Sequence, residues 1–308
     1  MNELPVSKRI RLTESPFTLS KTVAGVMRLN DWGMDDQGLN RWIHQCIELG
    51  VTSFDHADIY GSYTCEERFG KALALSPELR DKIELITKCG IQLISDNRPN
   101  TKVKHYNTTR DYIRYSLDRS LQLLGVNELD LLLIHRPDML MDADEVAGAL
   151  SEAVVQGKVK HVGVSNFTPA QFRLLQSRLD IPLYTNQVQY SVTHTEPLFD
   201  DTFTYLQEQR IAPMIWSPLG GGAIFTGQTE QANRIRYVFG ELGSELGTPV
   251  SYDQLALAWV HHHPLPMIPV LGTGKIDRIQ NAVKAESIVL NKQQWFRVLE
   301  ASRGMPVA

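Results

Sequence analysis

The sequence predicts an α/β fold in which eight parallel strands, each followed by a helix, close into a (β/α)8 barrel of the TIM type. A short N-terminal β-hairpin precedes the barrel and an extra C-terminal helix follows it. Strand-like apolar runs alternate with helical patterns along 308 residues, the pattern of a parallel sheet covered by helices. No low-complexity tract or long linker interrupts it, so residues 1–308 read as one domain. Alternation alone also fits a doubly wound open sheet. The ring is preferred because polar groups stand at the ends of strands two to seven, as around a barrel mouth. An open sheet would gather them at one switch point.

Residues 8–12 and 17–20 read as the arms of the hairpin, with 13–16 as its turn. The candidate strands are residues 23–27, 52–55, 83–87, 129–134, 159–164, 184–188, 212–216 and 267–270. Leu39, Ile43, Cys46 and Ile47 recur at helical spacing behind Asp35 and Asp36, acids that cap a helix start and complement its dipole. Tyr112, Leu117, Leu121 and Leu124 mark a second helix stopping at Gly125, a residue suited to a helix C-terminus. Val146, Leu150, Val154 and Val155 mark a third, ending at Gly157. Residues 165–169 open a fourth through Phe172, Leu175 and Leu179, and residues 255–260 and 279–283 supply later ones. Residues 293–299, with Trp295, lie beyond the last strand and are expected across the barrel exterior.

Composition narrows the class. Hydrophobic residues at 43% and charged ones at 21% are ordinary for a globular protein. A formal charge of −4 implies no basic face, so no nucleic-acid partner is expected. Cys46, Cys65 and Cys89 are scattered and odd in number, which fits a reducing compartment better than a disulfide framework. Residues 1–20 are polar, carry Pro5 and Pro16, and lack a signal-peptide core. No stretch reaches membrane-spanning length. A cytoplasmic, monomeric protein without a membrane partner is the expectation.

Four residues carry the chemistry. Asp55, Lys88 and His135 each follow a candidate strand, and Tyr60 stands five positions after Asp55. Parallel strands sharing one open end bring such groups together. Hydride transfer to a carbonyl builds negative charge on oxygen, which calls for a proton donor beside it. Tyr60 is the candidate donor, although a free phenol has a pKa of about 10. Lys88 is the ammonium expected to lower it, Asp55 the carboxylate that keeps Lys88 charged, and His135 a second donor that orients the carbonyl. Taken singly, a strand-end Asp, Lys or His is more often a loop salt bridge or a cap, and Tyr60 alone reads as well as a half-buried aromatic.

Together with their surroundings the four are more specific. Phe54-Asp55-His56-Ala57, Tyr60-Gly61, Lys88 and Leu133-Ile134-His135-Arg136-Pro137 occur in that order. Val162-Gly163-Val164-Ser165-Asn166-Phe167, Asn186-Gln187-Val188-Gln189-Tyr190-Ser191 and Trp216-Ser217-Pro218-Leu219-Gly220 continue the series. This pattern resembles the aldo-keto reductase superfamily from about Val23 to about Ala285, and is most similar to its uncharacterised bacterial oxidoreductases. The resemblance implies a barrel reductase with Tyr60 as general acid, assisted by Lys88, Asp55 and His135. It further implies NADP(H) as cofactor, with NAD as the alternative, and a small carbonyl compound as substrate.

The resemblance also distributes the cofactor contacts. Gly25, Val26, Met27 and Asp55 stand at the first two strand ends. Ser165, Asn166 and Gln187 grip the nicotinamide amide, and Trp216 stacks on its ring. Ser217, Pro218, Leu219, Gly220 and Gly221 form a loop whose glycines let backbone amides approach a pyrophosphate. Gly272, Thr273, Gly274, Lys275 and Arg278 supply a helix start and two cations for the adenosine phosphate. Here Gly272-Thr273 replaces the family's common Lys-Ser pair, and Asn281-Ala282 its Glu-Asn. Neither a Rossmann fingerprint nor a P-loop is present, and the family binds its dinucleotide without them.

Trp32, after the first strand, is expected as an aromatic wall for the substrate beside Tyr60 and His135, and residues 92–107 as a loop governing substrate choice. His261, His262 and His263 are consecutive and cannot all face one ion, so no metal is expected. Cys89 points away from Lys88 on a strand and is expected to pack inertly. Two other functions fit the same residues: a cofactor-sensing binding protein like channel-associated β-subunits, and a Lys88 Schiff-base lyase.

Overall fold

The computed structural model describes residues 4–247 and 249–308. The N-terminal hairpin pairs β1 (Arg9–Arg11) with β2 (Thr18–Ser20), antiparallel. The first barrel unit is β3 (Val23–Gly25) with α1 (Asp36–Glu48), and the second β4 (Ser53–Asp55) with α2 (Cys65–Leu73). β5 (Glu84–Cys89) leads into a small hairpin, β6 (Ile91–Gln92) and β7 (His105–Tyr106), before α3 (Arg110–Leu124). Next come β8 (Leu129–Ile134), α4 (Ala143–Val155), β9 (Val159–Ser165), α5 (Pro169–Gln176), β10 (Leu183–Gln189) and α6 (Thr202–Glu208). The chain ends with β11 (Met214–Trp216), α7 (Ala223–Thr226), α8 (Glu230–Glu245), α9 (Tyr252–His261), β12 (Ile268–Leu271), α10 (Ile276–Ala285) and α11 (Lys292–Arg303).

Strands β3, β4, β5, β8, β9, β10, β11 and β12 close into one parallel barrel in chain order. The expected TIM barrel, hairpin and extra helix are all present. Each strand alternates between two cores, because successive side chains point to opposite faces. Val23, Ile86, Leu131, Leu133, Met214 and Ile268 fill the barrel, and Leu12 and Leu19 from the hairpin plug its lower end. Ala24, Phe54, Leu85, Leu132, Ile134, Val164 and Ile215 face outward under the helices. The inward series continues upward through Gly25, Asp55, Lys88, Ser165, Gln187 and Trp216. Side chains at the C-terminal mouth are thus set by the same period that packs the core.

Local rules account for the helices. Asp35 caps α1 by accepting from the Gly38 N–H at 2.7 Å, and α3 stops at Gly125 with φ 68°. Thr168 and Gln171 form a capping box on α5. The cap is therefore Thr168, which leaves Ser165 and Asn166 for other partners. Trp295 of α11 stacks on Trp259 of α9, with centroids 5.1 Å apart, and each indole N–H donates to the other residue's carbonyl. This pins the last helix to the exterior.

Three sequence expectations are corrected. β5 runs to Cys89 rather than Thr87, because Lys88 and Cys89 still pair with Leu133 and Ile134. Lys88 is consequently an in-strand residue pointing into the barrel. Residues 92–107 are not a plain loop, since they carry the antiparallel pairing of β6 with β7. Helices α2, α6, α7 and α8 had no counterpart among the candidate helices.

Candidate active site

Lys88 is fully buried, and all three of its N–H groups are engaged. Nζ donates to Asp55 Oδ2 at 2.7 Å, to the His56 carbonyl at 2.7 Å and to Tyr60 Oη at 3.0 Å. The second Asp55 oxygen accepts from Gln187 Nε2 at 2.8 Å, a link not foreseen from sequence. Tyr60 meets His135 edge-on, with ring centroids 6.1 Å apart. The His135 backbone N–H donates to the Cys89 carbonyl at 2.8 Å, which ties the end of β8 to β5. Thus the four residues expected to act together do converge.

Their electrostatics depart from one expectation. Burial, then the negative charge of Asp55, holds the Tyr60 phenol well above its ordinary pKa. The anticipated lowering by Lys88 does not prevail, because burial, and after it the charge of Asp55 against the same ammonium, outweighs it. Burial pulls Lys88 below the usual lysine value, opposed by Asp55. His135 is held well below 6.5 by burial and then by the charges of Lys88, Arg136 and Lys104, so its imidazole is neutral near pH 7. Tyr60 is protonated there and can give a proton.

Beside these residues lies a cavity of about 1160 Å³. Its wall includes Asp55, Tyr60 and His135 at one end and Arg278 and Asn281 at the other. Of the residues expected around a cofactor, Gly25, Met27, Ser165, Asn166, Gln187, Trp216, Ser217, Pro218, Leu219, Gly221, Gly272 and Thr273 line it as well. Asn166 is held at φ 61°, with Oδ1 accepting from Trp216 Nε1 at 2.8 Å and Nδ2 donating to Ser165 Oγ at 2.7 Å. Asparagine tolerates that left-handed backbone better than most residues. Ser217 at φ 52° is a second such position, and Gly221 and Gly222 continue the loop in left-handed conformations.

Other expected residues stand back from the cavity. Val26 is fully buried, Lys88 lies behind Tyr60 and Asp55, Lys275 occupies the cap position of α10, and Gly220 abuts Thr193. Trp32, expected as a substrate wall, is not among the residues lining this cavity: its indole packs on Trp42 with centroids 4.9 Å apart. Gly274 makes room for it, because a Cβ there would lie 2.6 Å from the ring. Conversely, Arg28, Lys104, Tyr106, Arg136, Phe225 and Asp253 line the cavity without having been singled out. A separate depression of about 830 Å³ at the other end of the barrel is lined by Arg9, Arg80, Glu84, Asp130 and Lys160, which pair with one another.

Behind Lys88 sits an acidic pair. Asp58 Oδ2 accepts from Tyr112 Oη at 3.0 Å and Ser116 Oγ at 2.9 Å, and Glu66 accepts from Thr87 and Ser120. Burial and then Glu66 push the Asp58 carboxyl up to about 7. Cys89 is buried and its thiol is pushed well above the ordinary range, chiefly by burial. His261 ends α9, and His263 Nδ1 accepts from the Leu265 N–H. Among the described residues no group of three or more His, Cys, Asp or Glu side chains gathers as a metal site. None of their helices is long and apolar enough to cross a membrane.

A closed parallel barrel with Asp, Tyr, Lys and His joined at its C-terminal mouth defines a class of barrel oxidoreductase. The chain belongs to the aldo/keto reductase family, whose sequence pattern matches residues 21–303. It is similar to the uncharacterized oxidoreductase YcsN of Bacillus subtilis (strain 168), at 45% identity over 300 residues, covering 97% of this chain and 99% of that protein. It is 41% identical over 302 residues to the 6-dehydroglucose reductase of Agrobacterium fabrum, covering 98% and 100%. The structure of a glycerol dehydrogenase from Gluconobacter oxydans matches the fold with a TM-score of 0.83 at 24% identity, covering 97% of each chain. The family's chemistry is carbonyl oxidoreduction with a nicotinamide cofactor.

Proposed function

We propose that the protein reduces small aldehydes or ketones with NADPH, using Tyr60 as the general acid. The carrying observation is the 3.0 Å contact from Lys88 Nζ to the Oη of Tyr60, which lines the cavity with Lys88 behind it. The cofactor supplies hydride when bound. Ser165, Asn166 and Gln187 carry amide and hydroxyl groups suited to its carboxamide, and Trp216 offers a ring face beside them. Arg278, exposed and without an acidic partner among the described residues, suits a phosphate and favours NADPH over NADH.

Tyr60 then gives its proton to the carbonyl oxygen as charge grows there. The growing alkoxide is the stronger base as hydride arrives, so the proton follows the charge onto the carbonyl oxygen. Lys88 stabilises the phenolate left behind, and Asp55 keeps the ammonium in place. A neutral His135 donates one hydrogen bond to the same oxygen without competing for its proton. Lys88 is poorly disposed to form a Schiff base, since it is fully buried with every N–H engaged.

The test is NADPH consumption with a reactive aromatic aldehyde and with 6-dehydroglucose, the compound named for a relative. Tyr60→Phe is expected to lower kcat by about 10²–10⁴-fold while NADPH binding persists. Wild-type turnover matched by Tyr60→Phe would remove the general acid. Tighter binding of NADH than of NADPH would overturn the cofactor choice.

A further inference from the structure

The cavity wall around His135 is cationic, and its charges lack acidic partners. Arg136 follows His135 at the end of β8, is half-buried, and holds its guanidinium 5.5 Å from the Trp216 ring centroid. Lys104 lines the same cavity from the residue before β7. Among the described residues neither enters an ion pair. Both charges bear on the His135 imidazole, after burial and Lys88, so both stand near the reacting end. Of the acids in the cavity wall, Asp55 holds Lys88, while Asp253 on α9 and Asp277 on α10 enter no ion pair with Lys104 or Arg136.

A guanidinium laid on an aromatic face is pre-organised, with its fork of donors free for two oxygens. A half-buried cation without an acceptor is unfavourable until something with oxygen atoms meets it. Lys104 adds a mobile ammonium that can follow ligands of different length. We propose that Lys104 and Arg136 form a substrate subsite selecting carbonyl compounds whose carbon skeleton bears acceptor oxygens, as hydroxyls or a carboxylate. The assignment rests on the reductase reading and adds the substrate class to it. Ile59, Ile91 and Leu93 also line the cavity, so an apolar aldehyde is the natural comparator.

The experiment measures kcat/KM at saturating NADPH for butanal, glyceraldehyde and succinic semialdehyde. At least one oxygen-bearing aldehyde is expected to exceed butanal by about tenfold or more. Preference for glyceraldehyde identifies hydroxyls as the recognised oxygens, and preference for the semialdehyde identifies the carboxylate. Lys104→Met and Arg136→Met should each lower the ratio of the favoured aldehyde to butanal by about tenfold, chiefly through KM, and Arg136→Lys should restore part of it. Far-ultraviolet circular dichroism checks folding, and Lys104 is exposed enough for its variant to fold. Equal use of all three aldehydes, or a ratio untouched by both substitutions, overturns the subsite alone. No NADPH consumption with any aldehyde, although NADPH binds, overturns the reductase reading and the subsite together.

Discussion

At the scale of single residues, Asp55 and Lys88 bury opposite charges 2.7 Å apart, away from solvent. Such a pair adds little net stability, whereas deleting one partner strands the other's charge, typically at about 3–5 kcal/mol. Asp55→Asn is therefore expected to destabilise the fold by about 3–5 kcal/mol in urea unfolding. Adding Lys88→Met should recover part of that loss; an Asp55→Asn protein as stable as wild type would show that Lys88 is not held as a buried cation. These residues were legible in the sequence because titratable groups at successive strand ends have few other reasons to recur. Lys104, although inside the 92–107 segment expected to govern substrate choice, and Arg136 were not legible individually, since a loop cation has the same sequence signature whether it faces water or a cavity. Trp32 misled for a related reason: its direction is decided by Gly274, distant in sequence and next to it in space. The direction of the Tyr60 shift was also hidden, because residue identities do not say how burial and Asp55 weigh against one ammonium.

At the scale of elements, the barrel was legible because apolar strand runs fix which side chains point inward. Strand ends were less so: apolar runs reveal burial, and Lys88 is a buried cation that breaks such a run without ending the pairing. Helix α8 left a signal in Ile235, Phe239 and Leu242 behind its cap Thr229, a helical spacing that was there to be read. Helix α2 left less, being nine residues long with Gly70 inside it. Gly70 has a packing reason, since a Cβ there would lie 2.1 Å from the Leu123 carbonyl oxygen of α3. In an exposed helix Gly→Ala would gain about 1 kcal/mol from propensity. Here backbone overlap outweighs that gain, because α2 must shift from α3. Gly70→Ala is expected to lower the melting temperature, and because α2 carries Glu66 and follows Tyr60, to lower kcat as well. A Gly70→Ala protein that melts higher than wild type would mean that α2 and α3 do not approach so closely.

At the scale of the whole molecule, buried titratable groups set how the fold responds to acid. Burial lowers His56 and His261 to about 3 and His263 to about 4, and keeps His135 well below its ordinary value. An unfolded chain protonates these histidines near pH 6.5, so between about 6.5 and 4 it binds more protons than the folded one. Stability must then fall as pH drops through that window. Asp58 has the opposite sign: with its carboxyl raised to about 7, the folded state takes up a proton before the unfolded state does. Glu66, also raised by burial, acts in the same direction as Asp58. The four histidines outnumber the two acids, so a net loss toward acid pH is expected, read as a falling urea midpoint. Asp58→Asn removes one opposing proton, and its midpoint should therefore fall more steeply with acid than that of wild type. Parallel curves would show that Asp58 is already ionised in the fold. That result would leave a second buried negative charge behind Lys88, and the ammonium of the active site would be held by Asp58 as well as by Asp55.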